Sequence, residues 1–270
     1  MTDLPNPFTF SQSSLQDYAD CPRRFQLRYK DQLNWPAVDT RPVVENERRQ
    51  IEGQIFHRFV QQYLLGVPSE NLSRTANTPN LERWWNNFKR EFGSLGESHP
   101  ELTLSAPIGN HRLVAKYDLV AVQENKATIY DWKTYAKRPR DEWMSARWQT
   151  RVYRALLIRA GARLNGSKPF EPEQIEMIYW YADFPSEPTR FKYDATQFKR
   201  DWAVIEKVVN EISSVKEFLL TEDEKMCRFC VYRSYCNRGA LAGQIDGSEA
   251  EMESVATFDV NFEQIGEIEF

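Results

Sequence analysis

The sequence lacks the features that define several large classes of protein. It contains no run of about 18 uncharged apolar residues, which excludes a membrane-spanning helix. Its first residues show no basic segment followed by an apolar one, so no secretory signal peptide is predicted. The phosphate-binding motif GxxxxGK(S/T) is also absent, which excludes a P-loop nucleotide triphosphatase. We therefore expect a cytoplasmic protein that does not associate with membranes.

Basic residues are missing from the C-terminal end of the chain. No Lys or Arg follows Arg238, so the formal net charge of −4 divides into +4 for residues 1–238 and −8 for residues 239–270. The first part is predicted to form one globular domain, and its mild positive charge is compatible with phosphate contacts. We interpret residues 239–270 as an acidic tail. Such a tail is either solvated, or docks a partner, or covers a basic groove.

The spacing of apolar residues divides the chain into helices and strands. Helices are predicted over 13–30, 47–65, 81–95, 141–160 and 195–220, and strands over 101–108, 112–122, 127–134 and 174–182. The order is helices, three successive strands, a helix, a strand and a final helix. This order predicts a mixed α/β fold.

Cysteine is rare, and its four copies are unevenly distributed. Cys227, Cys230 and Cys236 form a C-x₂-C-x₅-C run, whereas Cys21 lies about 200 residues earlier. In a reducing compartment this spacing favours a metal site over disulfides. Four thiolates suit either tetrahedral zinc or an iron–sulfur cluster, and the spacing does not distinguish them. Either centre would join the N-terminal helix to the C-terminal part of the domain.

Two carboxylates and a lysine lie on adjacent predicted strands. Asp118 lies in one strand, and Asp131 and Lys133 lie two residues apart near the end of the next. Alternation along a strand places Asp131 and Lys133 on the same face. Carboxylates are the ligands that Mg²⁺ and Mn²⁺ prefer, and an ammonium group beside them could orient an attacking water. The pattern predicts a site for phosphodiester hydrolysis, although an isolated D-x-K also occurs in solvated turns.

Other polar and aromatic residues are candidates for the same site. His57, on the second helix, could complete a metal shell, and Gln149 and Tyr153 share one face of the helix after the third strand. Taken alone, His57 also fits an ordinary helix position and Tyr153 a core position. Candidate DNA contacts on that helix are Arg147, Trp148 and Arg151, with Trp143 nearby. The two tryptophans fit a core equally well.

Together these residues resemble the RecB-like exonuclease branch of the PD-(D/E)XK nuclease superfamily. The resemblance covers about residues 10–238. It rests on the N-terminal segment Ser11–Phe25, with its Cys21-Pro22 pair, and on His57, Asp118, Asp131-x-Lys133 and Gln149-x-x-x-Tyr153 in the family order. The cysteine pattern is similar to that of the iron–sulfur subgroup, which includes the AddB nuclease domain and the CRISPR-associated adaptation exonucleases.

The resemblance implies a restriction-endonuclease-like core, with a central mixed sheet flanked by helices, whose N- and C-terminal helical parts are joined by a four-cysteine cluster. It implies a [4Fe–4S] cluster on Cys21, Cys227, Cys230 and Cys236. It also implies that Mg²⁺ or Mn²⁺ binds Asp118, Asp131, the backbone carbonyl of Trp132 and His57. Lys133 would position the nucleophile, and Gln149 and Tyr153 would line the site.

The chain departs from the family pattern at two positions. Ala115 stands where the family usually has glycine, three residues before Asp118, and the bulky Trp132 lies between Asp131 and Lys133. Neither change removes a metal ligand. A methyl group at Ala115 is expected to narrow the approach of the neighbouring strand.

The resulting hypothesis is a divalent-metal-dependent DNA exonuclease that prefers single-stranded ends and acts in DNA repair, recombination or CRISPR-type defence. Any unwinding would come from another polypeptide, such as a helicase. An alternative hypothesis is a weak or inactive DNA-binding subunit of a larger helicase–nuclease or adaptation complex. A third is a zinc-stabilised scaffold, which leaves the ordered Asp, Lys, Gln and Tyr residues unexplained.

Overall fold

The computed structural model describes residues 4–34, 41–92, 97–228 and 230–239, with side chains from residue 48 onward in the helix that begins at residue 41. Almost all of the predicted acidic tail lies outside the described residues. Among the described residues, no helix is both long and apolar enough to span a bilayer.

The described part of the chain contains eight α-helices and six strands, and helices and strands occur in groups along the sequence. The helices are α1 (Gln12–Asp20), α2 (Pro22–Phe25), α3 (Arg41–Leu64), α4 (Ser69–Thr75), α5 (Pro79–Glu91), α6 (Asp141–Ala146), α7 (Trp148–Ala160) and α8 (Ala195–Ser214). The strands are β1 (Thr9–Phe10), β2 (Glu97–Ile108), β3 (His111–Gln123), β4 (Lys126–Lys133), β5 (Ile175–Tyr181) and β6 (Phe184–Lys192). A π-helical turn, Gln26–Lys30, follows α2.

The strands form one mixed sheet in the order β1-β3-β4-β5-β6, with β2 paired to the other edge of β3. The β1–β3 and β4–β5 pairs are parallel, whereas the β2–β3, β3–β4 and β5–β6 pairs are antiparallel. Two strands share one edge of β3, because β1 pairs with its start and β4 with its end. The predicted α/β class, with a central mixed sheet flanked by helices, is confirmed.

Two hydrophobic cores cover the two faces of the sheet. Helices α1, α7 and α8 pack on one face and contribute Leu15, Val152 and Ile205 to the first core. Helices α3, α4 and α5 pack on the other face and form a second core rich in aromatic rings. The rings that the helices and the sheet contribute to this second core are Phe56, Phe59, Trp84, Trp85, Phe88, Phe92, Trp132 and Trp180. The sheet is therefore held between two helical layers.

Two predicted helices are interrupted. The helix predicted over 13–30 breaks at Cys21, which is extended with φ −163°, and Pro22 begins α2. Proline has no N–H to continue the hydrogen bonds of α1, but it fits the first turn of a new helix. The helix predicted over 141–160 breaks at Arg147, where ψ is 142°. The last predicted helix ends at Ser214, six residues early.

Three elements of the structure are not predicted by the sequence patterns. β1 has only two residues, too few for a periodic signal. β6 contains two prolines and exposed polar residues, and it pairs only with β5 among the described strands. An edge strand tolerates proline because one of its edges makes no ladder. Helix α4 lies in the polar stretch between the second and third predicted helices, and it buries Leu72.

Candidate active site

The strands β3 and β4 diverge at Asp118. Their last paired residues toward this end are Leu119 and Tyr130. Beyond that pair, the backbone N–H of Trp132 donates to Oδ2 of Asp118 at 2.9 Å. The carboxylate thus takes over the hydrogen bond that the β3 backbone would make in a continuous ladder. This places Asp118 in the opening between the strands.

The alternation of side chains between the two faces of the sheet is also interrupted in β3 at Asp118. Tyr117 belongs to the first core and Leu119 to the second, although alternation in a regular strand would put them on one face. On β2, Glu101 lies between the partners of these two residues and has φ +55°. A left-handed backbone at a non-glycine residue within a strand is uncommon and recurs at functional sites. The distortion turns Asp118 out of the regular ladder.

Asp131, Lys133 and Gln149 form a closed hydrogen-bonded group next to this opening. Nζ of Lys133 lies 2.7 Å from Oδ1 of Asp131 and donates to Oε1 of Gln149 at 3.0 Å. Nε2 of Gln149 donates to Oδ2 of Asp131 at 2.6 Å. The Asp131 side chain is 2% exposed and that of Lys133 is 13% exposed. Each member fixes the other two in a site largely shielded from water.

The alternation of β4 and the start of α7 bring this group together. Asp131 and Lys133 share one face of the strand, as predicted, and Trp132 points to the opposite face. There its ring lies edge-on to Phe88 and Phe92, at centroid distances of 5.3 and 4.8 Å. The bulk of Trp132 is therefore accommodated in the aromatic core. It does not displace the carboxylate or the ammonium group.

His57 joins the site from α3. Its Nδ1 lies 3.3 Å from Oδ1 of Asp118, and both side chains are partly exposed. Burial alone would raise the pKa of the Asp118 carboxyl. Positive charge on His57 and Lys133 and the hydrogen bond from Trp132 outweigh that effect, so the pKa lies below its ordinary value. Asp118 is therefore held as a carboxylate, the form that binds a cation.

Gly53 brings α3 close to the end of β4. A Cβ at this position would lie 2.7 Å from Oγ1 of Thr134, which is closer than atoms pack in proteins. Gly53 lies one helical turn before His57, so the two residues share a stripe that faces the site.

Replacing Gly53 by alanine is therefore expected to push α3 away from β4. We expect weaker binding of Mn²⁺, because His57 moves with the helix, and a loss of about 1–3 kcal/mol in the free energy of unfolding. Gly66, at the end of α3, is no suitable control because its φ is +93°. Gln54→Ala, on an exposed position of the same helix, serves instead. Equal Mn²⁺ affinity for Gly53→Ala and wild type would contradict the expected displacement.

Tyr153 hydrogen-bonds to the backbone of β3 and to α1. It is buried, and its hydroxyl donates to the backbone carbonyl of Lys116 at 2.6 Å and accepts from Nε2 of Gln12 at 3.4 Å. Gln149, one turn earlier, contacts Asp131 and Lys133. Tyr153 links α7 and α1 to the backbone of β3, two residues before Asp118.

The candidate DNA contacts fall into different environments. Trp148 is 7% exposed and belongs to the first core, a placement that does not favour base stacking. The guanidinium of Arg147 stacks over Trp143 at 4.8 Å, and that of Arg151 lies 5.8 Å from Trp148. Both arginines are partly exposed, and Arg147 immediately precedes α7.

Ala115 lies in the first core and is 1% exposed. Its methyl group packs among apolar side chains. The departure from the family's usual glycine thus fits the structure of β3.

The four cysteines are free thiols on two segments that meet. Cys21 is buried between α1 and α2, and the other three follow α8. Burial raises the pKa of the Cys227 thiol to about 11, and negative charge on the other three cysteines adds to the shift. Burial also raises the pKa of Cys230, although the charge on Arg24 opposes the shift. The four thiols therefore lie close enough to interact electrostatically.

Contacts independent of the cysteines also join the two segments. The N–H of Arg23 donates to the carbonyl of Leu219 at 3.0 Å, and the hydroxyl of Tyr232 donates to the carbonyl of Leu33 at 3.0 Å. The rings of Phe25 and Phe218 stack at 5.9 Å. The N- and C-terminal parts thus meet beside the cysteines.

The described residues contain no group of three or more His, Cys, Asp or Glu side chains arranged to hold a metal ion. The donor chemistry nevertheless fits two kinds of centre. Asp118, with its lowered pKa, and Asp131 offer hard oxygen ligands, and the four cysteines offer sulfur ligands. A four-cysteine cluster is not shown by this arrangement.

The sequence model of the PD-(D/E)XK nuclease superfamily matches residues 9–237. This chain belongs to that superfamily. Every candidate site residue described above lies within the matched range, and the mixed sheet flanked by helices is consistent with a restriction-endonuclease-like core. Membership in this superfamily supports a nuclease function.

Two solved structures are similar to this chain. A protein named "Putative exonuclease" from Eubacterium rectale is 9% identical, with a TM-score of 0.46, and the alignment covers 75% of this chain and 79% of that one. SSO0001 is 13% identical, with a TM-score of 0.40 and coverage of 87% and 88%. No curated protein matches the sequence.

The sequence alone did not identify Arg49 and Asp183 as neighbours of the site. Arg49 contacts the residue after Lys133, and it pairs with Asp183, which is 134 positions away in the chain. Neither residue lies in a recognisable motif. Their only sequence signal is the position of Arg49 one turn before Gly53, on the stripe that carries His57.

Proposed function

We propose that this protein is a divalent-metal-dependent DNA exonuclease that acts on single-stranded ends. Membership of the superfamily supports nuclease chemistry, and the site supports a hydrolytic mechanism. The observation that carries the proposal is the closed group of Asp131, Lys133 and Gln149 beside Asp118. Carboxylates that can hold a divalent cation, with an ammonium group beside them, are suited to hydrolysis of a phosphodiester.

Asp118, Asp131, the carbonyl of Trp132 and His57 are the residues that would hold Mg²⁺ or Mn²⁺. A bound divalent cation supplies charge neutralisation at the phosphate and an activated water. The low pKa of Asp118 keeps this carboxyl ionised, and the hydrogen bond from Trp132 fixes its orientation.

Lys133 is proposed to orient the attacking water and to stabilise negative charge on the phosphate. Its ammonium group is held by Asp131 and Gln149 and lies 5.5 Å from the ring centroid of Tyr179. Such preorganisation lowers the barrier because little reorientation remains for the reaction. Gln149 is proposed to line the site and keep Lys133 in place. Tyr153 is proposed to act indirectly, through its hydrogen bond to the β3 backbone.

Single-stranded DNA is proposed as the substrate because the resemblance to the RecB-like exonuclease branch implies a preference for single-stranded ends. Arg147 and Arg151, near the start of α7, are proposed to contact its phosphates. The stacked pair of Arg147 and Trp143 offers a partly exposed surface for a base. Trp148 is a weaker candidate because it is buried.

A [4Fe–4S] cluster on Cys21, Cys227, Cys230 and Cys236 is proposed as a structural centre. The mutual effect of the thiols on their pKa values and the absence of disulfides among the described residues support this proposal. Free thiols also favour a reducing compartment, so we propose a cytoplasmic location. DNA repair, recombination or CRISPR-type defence, together with a helicase partner, is the proposed context.

The test compares linear and circular single-stranded DNA, duplex DNA and single-stranded RNA, with either end labelled, in the presence of Mg²⁺ or Mn²⁺. We expect degradation of linear single-stranded DNA from an end and resistance of the circular form. Cleavage of circles would replace the exonuclease assignment by an endonuclease. Binding without hydrolysis under every condition would favour the alternative, an inactive DNA-binding subunit.

A further inference from the structure

The end of β4 is held by a group of side chains outside the proposed catalytic residues. Nε of Arg49, on α3, donates to the backbone carbonyl of Thr134 at 2.6 Å. The guanidinium lies 5.0 Å from the ring centroid of Trp84, on α5, and its other edge pairs with Asp183. Arg49 therefore connects two helices to the residue that follows Lys133.

Asp183 orients this arginine. It lies in the turn between β5 and β6 and accepts hydrogen bonds from Arg83, at 2.8 and 2.7 Å, and from Nε1 of Trp84 at 2.8 Å. Its side chain is only 13% exposed. A carboxylate that is mostly buried and accepts from three side chains has little freedom to move. Arg49 is thus paired with a fixed partner.

The same turn also holds the backbone of Lys133. The N–H of Ala182 donates to the carbonyl of Lys133 at 2.8 Å, and the carbonyl of Ala182 accepts from Nδ2 of Asn87 at 2.8 Å. The carbonyls of Lys133 and Thr134 are consequently fixed from two directions, one by the turn and the other by Arg49. Rotation of the backbone at the end of β4 would move the Lys133 side chain away from Asp131 and Gln149.

Arg49 also sets the position of α3 relative to the site. Arg49, Gly53 and His57 follow one another at intervals of four residues, so they form one stripe along the helix. Arg49 contacts Thr134, Gly53 leaves room for the Thr134 side chain, and His57 contacts Asp118. The arginine anchors the end of the stripe that is farthest from His57.

We propose that Arg49, oriented by Asp183, is a positioning residue that keeps Lys133 and His57 in register with the two carboxylates. It touches neither substrate nor metal and acts through the backbone of Thr134 and through α3. This inference rests on the proposed function, because its effect is on the cleavage step and on cation binding.

The test uses the full chain with four substitutions. Arg49→Met removes both polar contacts, Arg49→Lys keeps the charge but loses the planar fork, and Asp183→Asn keeps the shape of the partner. Arg48→Met is the matched control, because the neighbouring Arg48 side chain is 72% exposed and pairs with Glu52 on the same helix. The readouts are kcat and KM on single-stranded DNA, the Kd for Mn²⁺ from electron paramagnetic resonance of the free ion, and Tm.

We expect kcat to fall by about 10–100-fold in Arg49→Met, because a displacement of about 1 Å at a catalytic group can cost a factor of 100. The Kd for Mn²⁺ should rise by about tenfold, while KM changes by less than about threefold. Arg49→Lys should recover part of kcat, because one amine can satisfy one of the two acceptors. Asp183→Asn should also lower kcat. Arg48→Met should have the kcat, KM and Kd for Mn²⁺ of the wild type.

Several results would overturn the proposal. A rise in KM with unchanged kcat would show that Arg49 binds substrate. Unchanged kcat and Kd in Arg49→Met, or an equal loss in Arg48→Met, would show that the contact has no positioning role. If Arg49→Met has a lower Tm, but wild-type kcat and Kd at temperatures below that Tm, the role of Arg49 is purely structural. A wild type that neither cleaves DNA nor binds Mn²⁺ would refute the proposed function itself, which the first three results would not.

Discussion

Replacing Lys133 by methionine is expected to lower the rate of DNA cleavage by about 1,000-fold or more. Methionine keeps much of the aliphatic length and removes the ammonium group. The loss follows from the geometry of the site, where Nζ lies within hydrogen-bonding distance of both Asp131 and Gln149 and is mostly shielded from water. A charge in such a site acts on the transition state with little screening.

The Lys133→Met variant should still bind Mn²⁺. Asp118 and Asp131 remain, and Asp131 keeps its hydrogen bond from Gln149. Without a cation the variant should lose about 3 kcal/mol of unfolding free energy, because Asp131 is buried and has lost its lysine partner. Cleavage assays, a Mn²⁺ titration and denaturant unfolding in EDTA measure the three effects separately.

Lys116→Met is the matched control. This lysine lies on β3, two residues before Asp118, and pairs with Glu101 at 2.5 Å, but its side chain is 45% exposed. We expect near wild-type cleavage, because exposed ion pairs contribute little and the hydrogen bond from Tyr153 is accepted by the backbone of Lys116, which the substitution keeps. Equal loss of activity in both lysine variants would point to general electrostatic attraction of DNA. Normal activity in Lys133→Met would contradict the assigned role.

Replacing Cys21 by serine is expected to release iron and to destabilise the whole domain. A cross-link between segments about 200 residues apart restricts the unfolded chain, and disulfides that close loops of this order contribute about 4–5 kcal/mol. A comparable loss corresponds to a fall in Tm of about 10 °C for a domain of this size. Iron and acid-labile sulfide analysis of anaerobically purified protein, together with thermal unfolding, measures both effects.

The control for the cysteine variant is Tyr232→Phe. It removes the hydrogen bond from Tyr232 to the carbonyl of Leu33, which joins the same two segments, and leaves all four thiols in place. We expect full iron content and a loss of about 1 kcal/mol. Zinc in place of iron would contradict the cluster but retain a metal at the cysteines. If the wild type holds no metal and Cys21→Ser has the same Tm as the wild type, both the cluster and a metal site at the cysteines are contradicted.

The parts of the site that follow local rules were predictable from the sequence. Strand alternation places Asp131 and Lys133 on one face, and the step of one residue puts Trp132 on the other. Helical spacing places Gln149 one turn from Tyr153. These relations need only the geometry of a single element, so one sequence is enough to derive them.

Other features depend on contacts between distant elements. Tyr153 has the spacing of a site residue, yet the packing of α1 and β3 around it gives its hydroxyl two other partners. The pair of Arg49 and Asp183 and the divergence of β3 from β4 likewise depend on the assembled sheet. Local patterns carry no information about them, because the partners lie far apart in the chain.

Asp118 and Asp131 are proposed to form the metal-dependent nuclease site of this chain. The most direct test measures release of nucleotides from end-labelled linear single-stranded DNA, with Mn²⁺ or EDTA, by the wild type and by Asp131→Asn prepared in parallel. We predict release by the wild type in Mn²⁺ alone and none above background by Asp131→Asn, with both proteins folded. Equal release by the two proteins, or release that persists in EDTA, would contradict the claim.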